Sequence, residues 1–174
     1  LTVLQVDAGL TVGQVGLFNA VGGSLCGLIA AGVAGLLLLR LGGWHCLALI
    51  LAAGAVIFGA CAALQHHLAP IVFAIVLSTI SMILGFAYDV PFRGLALSIS
   101  GGDRGATQAA IISSIDKIVA IVAAMFAGVV VNAVGLGGLL LISALACLCA
   151  LPICLRAVAD IQQSSINKST QVVQ

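Results

Sequence analysis

Four ionisable side chains stand inside long apolar runs of the sequence, and their types could do chemistry there. Asp89 and Arg93 lie four residues apart in one run, and Asp116 and Lys117 are adjacent in the next. A charged group near the centre of a bilayer costs about 2.5–3.5 kcal/mol even on a lenient insertion scale, so such groups face protein or water. We expect Asp89 or Asp116 to pair with Arg93 or Lys117 across two helices.

Polar side chains extend along the run that carries Asp89. They are Ser78, Ser81, Gly85, Tyr88, Asp89, Phe92 and Arg93, at spacings that place them within one arc of a helix. This arc predicts a face toward the protein interior or a wet cavity. Tyr88, Asp89, Arg93, Asp116 and Lys117 are therefore the candidates for a substrate or proton pathway. Pro91 removes a backbone hydrogen bond beside these charges, which predicts a kink or a local opening.

Two interpretations of the charges stay open. In the first, a static ion pair holds two helices together. In the second, desolvation favours the neutral form of one aspartate, which takes up a proton as the ion pair breaks. Proton flow is then coupled to the movement of a substrate.

The composition indicates which kind of scaffold holds these residues. The 174 residues are 63% hydrophobic and 6% charged, with a mean hydropathy of +1.33. A soluble domain of this size could not bury so much apolar surface, and the runs lack the alternation of a β-barrel. The sequence predicts an all-α, polytopic membrane helix bundle embedded in lipid. A net charge of +1 gives no indication of a nucleic-acid partner.

The apolar runs divide the chain into about five membrane-spanning helices. Polar breaks separate them, and together they form a partial transmembrane bundle over residues 1–156, followed by a polar tail over 157–174 whose end we expect to be disordered. The predicted helices cover about residues 10–39, 46–64, 70–97, 106–131 and 139–155.

Basic residues outside the spans predict the orientation. Alternate threading places Arg40, Arg104, Arg156 and Lys168 on one side, which the positive-inside rule makes cytoplasmic. The C-terminus is then cytoplasmic and the N-terminal segment lies outside, as in a bacterial inner-membrane protein.

Small residues recur every four positions along the first helix. Gly23, Gly27, Ala31 and Gly35 form a stripe that allows another helix to approach closely, either as a static contact or as one that slides during a cycle.

No residue pattern indicates an enzyme, a cofactor or a metal site. The six cysteines fall within or at the ends of apolar runs and are interpreted as packing residues. His66 and His67 are assigned to a loop, and neither a phosphate-binding loop nor a nucleophile–base pattern is present.

The end of the first helix resembles the signature loop of the major facilitator superfamily. In that signature a glycine is followed four residues later by Asp, then by a basic residue, any residue, Gly and a basic pair. Gly35, Arg40 and Gly42 match it, whereas Leu39 stands at the Asp position and Gly43 and Trp44 replace the basic pair.

Two further segments are similar to one branch of that superfamily, the peptide, acetyl-coenzyme A and drug transporters that include muropeptide permeases and related siderophore importers. These segments are residues 7–19 and 105–114. The resemblance implies that the five spans correspond to the eighth to twelfth helices of a twelve-helix transporter, so that the N-terminal half and one more helix are missing.

The resemblance also implies a function, proton-coupled uptake of a siderophore or a muropeptide-like small molecule by alternating access. Export of a drug or metabolite by the same superfamily is one alternative. A membrane scaffold subunit that transports nothing is another, in which the stripe serves assembly and the charges are static.

Overall fold

The computed structural model describes residues 2–100 and 105–172, and these residues form helices without any strand. We number the helices in chain order and treat Gly135, which has a non-helical conformation, as the boundary within the last helical stretch, Gly105–Val172. The helices are α1 (Thr2–Asp7), α2 (Val12–Leu41), α3 (Gly43–Leu64), α4 (Pro70–Ile99), α5 (residues 105–134) and α6 (residues 136–172).

The starts of two long helices follow from local sequence. At α2 a capping box forms: the Thr11 hydroxyl accepts from the Gln14 N–H at 3.3 Å, and the Gln14 side chain accepts from the Thr11 N–H at 3.0 Å. At α4, Pro70 occupies the first turn, where no N–H is needed. A π-helical turn, Phe18–Gly22, lies within α2.

Single glycines make two of the helix-to-helix connections. Gly42, between α2 and α3, has φ 78° and ψ 163°, and Gly135, between α5 and α6, has φ 79° and ψ 176°. This region of φ/ψ space is essentially restricted to glycine. The sequence predicted a longer turn over residues 132–138. One residue suffices, because a single glycine at positive φ redirects the chain while its neighbours stay helical.

Helices α3 and α6 run antiparallel. Cys61, late in α3, shares a core cluster with Leu140, early in α6. Leu47, early in α3, shares another cluster with Cys154, about half-way along α6. The end of α3 thus packs on the start of α6 and its start on a later part of α6, so the two helices run in opposite directions along their contact.

Helices α4 and α5 are also antiparallel. Ala96 and Ile112 line the same small cavity, and Ser81 and Ala120 line another one further along. Since α3 and α4 are themselves antiparallel, with Gly43 beside Leu95, the chain must turn back on itself at Gly135.

The small-residue face of α2 packs on α4. Gly23 and Gly27 are buried, and a Cβ atom at these positions would lie 3.7 Å from the Met82 sulfur and 3.0 Å from the Phe86 ring, respectively. Ala30 and Ala34 extend the buried ridge.

The other two members of the predicted stripe leave this contact. Ala31 and Gly35 are only partly buried, and a Cβ atom at Gly35 would meet nothing within 4 Å. A spacing of exclusively four residues drifts by about 40° per step around a helix of 3.6 residues per turn. The interface instead follows the alternating spacing of four and three.

This contact predicts a stability difference between two matched variants. Gly27→Val should destabilise the bundle by about 1–3 kcal/mol, since the added side chain collides with the Phe86 ring. Gly32→Val, on the open side of the same helix, should change stability by less than about 0.5 kcal/mol. Thermal unfolding in detergent measures both, and equal destabilisation by the two variants would contradict the packing of α2 on α4.

Four helices are long and apolar enough to cross a membrane: Val12–Leu41, Gly43–Leu64, Pro70–Ser98 and Gly105–Ala157. The last contains Gly135, and at about 1.5 Å per residue each of its two parts can cross roughly 30 Å of hydrocarbon. The prediction of an all-α membrane helix bundle is confirmed, and the chain is an integral membrane protein.

The polar tail and the basic residues can be located only in part. The backbone is helical to Val172, where the sequence predicted disorder, and the tail after Ala157 contains neither Gly nor Pro to stop a helix. Arg40 and Arg156 lie at the same end of the bundle, because Cys154 packs beside Leu47. Arg104 and the side chain of Lys168 lie outside the described residues.

Candidate functional site

The four charges inside the spans form one connected network centred on Asp89. Its Oδ2 lies 3.0 Å from Arg93 Nη2, one turn along α4, and its Oδ1 lies 3.4 Å from Lys117 Nζ on α5. Lys117 Nζ also lies 3.3 Å from Asp116 Oδ2. Of the cross-helix pairings that the sequence left open, the structure forms the one between Asp89 and Lys117.

The network lies at matching depth on its two helices. At about 1.5 Å per residue, Asp89 is roughly 15 Å from the end of α4 at Ile99, and Asp116 is roughly 17 Å from the start of α5 at Gly105. Antiparallel packing brings these two levels side by side. The charges therefore sit well inside the apolar part of the bundle.

Carboxylates and cations differ in exposure. The side chains of Asp89 and Asp116 are 29% and 21% exposed, whereas those of Arg93 and Lys117 are 63% and 56% exposed. The two carboxylates are recessed and each is engaged by a cation, while the cationic groups project. The formal charge of the network is zero.

An open cleft of about 380 Å³ separates α4 from α5 beside this network. One part of its lining is polar and the other is apolar, so it can take a small molecule that carries both a charged group and an apolar body. The polar part consists of Ser81, Tyr88, Asp89, Asp116 and Lys117, and the apolar part of Met82, Gly85, Phe86 and Ala120.

The polar face of α4 continues away from the charges into the bundle. Ser78 is buried, and its hydroxyl has no hydrogen-bond partner among the described residues. Tyr88 and Phe92 stack, with ring centroids 5.3 Å apart and planes inclined by 18°. α4 stays helical through Pro91, whose ring is fully buried, so the predicted local opening is not seen.

Helix α5 is loosely attached to the bundle. Of its described side chains only Ala109 is buried, and large apolar residues such as Ile118, Ile121 and Met125 are exposed. The Asp89–Lys117 contact is thus a substantial part of what connects α5 to α4.

The residues of the signature-loop resemblance lie away from this cleft. Arg40 is exposed at the end of α2, and Gly35 has open space around it. Gly42 has the positive φ that the turn into α3 requires, which is a local reason for a glycine there.

A second, smaller cavity of about 270 Å³ lies at the opposite end of the bundle, and the sequence did not predict it. Leu4 and Asp7 of α1 line it together with Gln65 and His66. Leu4 also packs on the core cluster that contains Phe73, so α1 covers this end of the bundle. A repeat of apolar residues every three or four positions would have predicted this helix, but α1 is too short for such a repeat to be recognised.

Possible metal ligands do not gather in the part of the chain that the structure describes. No group of three or more His, Cys, Asp or Glu side chains comes together there. His66 contacts the Gln65 amide at 3.1 Å.

Comparisons with known proteins return no match among family models, curated proteins or solved structures. What the chain does must therefore be inferred from its helices, the charge network and the cleft.

Proposed function

We propose that this chain is part of a secondary active transporter and that the α4–α5 cleft forms one wall of its transport path. The observation that carries the proposal is the network of Asp89, Arg93, Asp116 and Lys117 at a cleft between two long apolar helices, with both carboxylates recessed. Ionisable groups at this depth are costly, and in membrane proteins they mark ion and substrate pathways.

The arrangement of the network supplies a coupling device. Lys117 lies between two carboxylates, Asp89 at 3.4 Å and Asp116 at 3.3 Å. Protonation of either carboxylate weakens the attraction between that carboxylate and Lys117. The lysine then pairs with the other, still charged carboxylate. Since α5 has few other buried contacts, protonation of Asp89 loosens α5 from α4 and protonation of Asp116 strengthens the Asp89–Lys117 contact, and alternating access requires such a change in how α5 is held.

The transported molecule and the rest of the transporter follow from the resemblance. We propose proton-coupled uptake of a siderophore or a muropeptide-like molecule in a bacterial inner membrane. An N-terminal half closes the open side of the cleft, and the C-terminus is cytoplasmic. The shared location of Arg40 and Arg156 at one end of the bundle supports this orientation.

Uptake by the full-length protein in proteoliposomes tests the proposal. Radiolabelled ferric siderophore and anhydromuropeptide are supplied separately, with and without an imposed pH gradient. We expect one of them to accumulate when the exterior is acidic. Accumulation of neither would contradict the proposed uptake, and gradient-driven efflux would favour the drug or metabolite exporter.

Neutralising the two aspartates tests the proton coupling. Asp116→Asn and Asp89→Asn remove the carboxylates that can take up a proton, so we expect at least one of them to abolish the pH dependence of uptake. Asp7→Asn, outside the long helices, is the control and should keep that dependence. An unchanged pH dependence in both cleft variants would exclude this mechanism.

A static scaffold remains the second candidate. The close packing of Gly23 and Gly27 on α4 favours it, because such a contact resists sliding. For a scaffold, neutralising Asp89 would lower stability without any transport activity to lose.

A further inference from the structure

The charge balance of the cleft limits which molecules it can accept. Arg93 and Lys117 contribute two positive charges and Asp89 and Asp116 two negative ones, so the network is neutral as it stands. A charged ligand that enters brings an uncompensated charge into surroundings of low dielectric constant, where this costs far more than in water.

The exposed ends of the network favour an anion. Lys117 and Arg93 are each more than half exposed, and both carry N–H groups beyond those directed at the carboxylates. The carboxylates are recessed and already occupied by these cations. A cationic ligand would have to displace Lys117 or Arg93, whereas an anion can bind to them where they are.

The lining favours an anion with an apolar body. Met82 and Phe86 lie on the apolar side of the same cleft, which the polar residues Ser81 and Tyr88 also line. A molecule whose carboxylate contacts Lys117 can therefore place its apolar body along the apolar side of the cleft.

Asp116 is the group that can restore neutrality. Asp89 contacts two cations, whereas among the described residues Asp116 contacts only Lys117, which it shares. An anion that draws Lys117 toward itself leaves Asp116 without a partner, and a proton on Asp116 then returns the total charge to zero.

The other groups around Asp116 do not replace it in this role. From α4 they are Tyr88 and Asp89, and from its own helix Lys117; Arg93 lies beyond them, at the other oxygen of Asp89. α6 brings the thiol groups of Cys147 and Cys154 close to Tyr88, and no charged side chain of α3 or α6 lines the cleft among the described residues.

We propose that the cleft binds an organic monoanion whose carboxylate contacts Lys117 and Arg93, and that each anion enters together with one proton, which is held by Asp116. This inference rests on the proposed function, since it names the substrate class of the same site. Transport of such a pair is electroneutral.

The test measures binding and proton uptake with three probes that share an aromatic body and differ in charge. These are benzoate, benzyl alcohol and benzylammonium, titrated by calorimetry into the full-length protein in detergent. Repeating the titration in buffers of different ionisation enthalpy counts the protons taken up. We expect benzoate to bind at least about tenfold more tightly than the other two and to take up about one proton. Its affinity should therefore rise as pH falls, by up to about tenfold per pH unit.

Variants assign the roles. Lys117→Gln should weaken benzoate binding by at least about tenfold, and Arg93→Gln should weaken it as well. Two variants are used so that the test stays valid if one variant fails to fold. Asp116→Asn should bind benzoate without proton uptake and without pH dependence. Arg156→Gln, at the end of the bundle, should match the wild type.

Three results would overturn the inference: preferential binding of benzylammonium, binding of benzoate with no proton taken up, or full proton uptake in Asp116→Asn. The binding assay is independent of transport. A protein that binds benzoate with one proton but accumulates no substrate contradicts the proposed function, whereas one that transports but prefers benzylammonium contradicts this inference alone.

Discussion

Reversing the charge at position 89 should abolish uptake, and reversing position 117 as well should restore part of it. Asp89→Lys removes the carboxylate that contacts both Arg93 and Lys117 and places three cations within one network. Because the Arg93 and Lys117 side chains are more than half exposed, we expect a smaller loss of stability than for a fully buried ion pair, together with the loss of uptake.

The double variant Asp89→Lys with Lys117→Asp re-forms the cross-helix pair with its polarity inverted. Thermal unfolding in detergent and uptake in proteoliposomes, measured for the two single variants and the double variant, give the coupling between the positions. We expect the double variant to be more stable than either single variant. Additive losses would show that Asp89 and Lys117 do not interact in the protein.

Replacing Gly135 should be among the most disruptive changes at the glycines. Gly135→Ala forces an L-residue into φ 79° and ψ 176°, which costs about 1–3 kcal/mol. The strain falls on the turn that sets α5 antiparallel to α6, because Gly135 alone makes this turn. Gly128→Ala, within helical α5 with open space around it, is the matched control.

The same reasoning applies to Gly42, whose dihedral angles are nearly the same. We expect Gly42→Ala and Gly135→Ala to lower the unfolding temperature by similar amounts and Gly128→Ala to leave it nearly unchanged. Equal stability of Gly135→Ala and Gly128→Ala would contradict the single-residue turn.

Most of the helical architecture could be predicted from sequence, because apolar runs between polar breaks determine which segments can cross a membrane. The predicted helices at about 10–39, 46–64 and 70–97 differ by a few residues from Val12–Leu41, Gly43–Leu64 and Pro70–Ile99. The turn near Gly135 was harder to delimit, because Gly135, Gly137 and Gly138 are all compatible with it and only the backbone dihedral angles distinguish them.

The candidate site could be predicted in part. Depth and charge placed Asp89 and Arg93 near Asp116 and Lys117, but two cross-helix pairings, Asp89 with Lys117 and Asp116 with Arg93, were compatible with the sequence. Which one forms depends on the rotation of α5 about its axis, and the apolar residues around α5 give no preferred face from which that rotation could be predicted. Met82 and Phe86 were not predicted as lining residues. Nothing in the sequence distinguishes an apolar side chain beside a cleft from any other apolar side chain in a spanning helix.

The widened turn at Phe18–Gly22 amounts to one residue inserted into an otherwise regular helix. Removing a single residue there would convert the segment to ordinary α-helix and keep both flanking segments intact. Because the wider turn itself takes up the extra residue, the segment before the deletion would keep nearly the same orientation relative to the stripe that packs on α4. Length variation of one residue in this protein is therefore best absorbed at this turn, where neither the N-terminal cap nor the interface below it has to rotate.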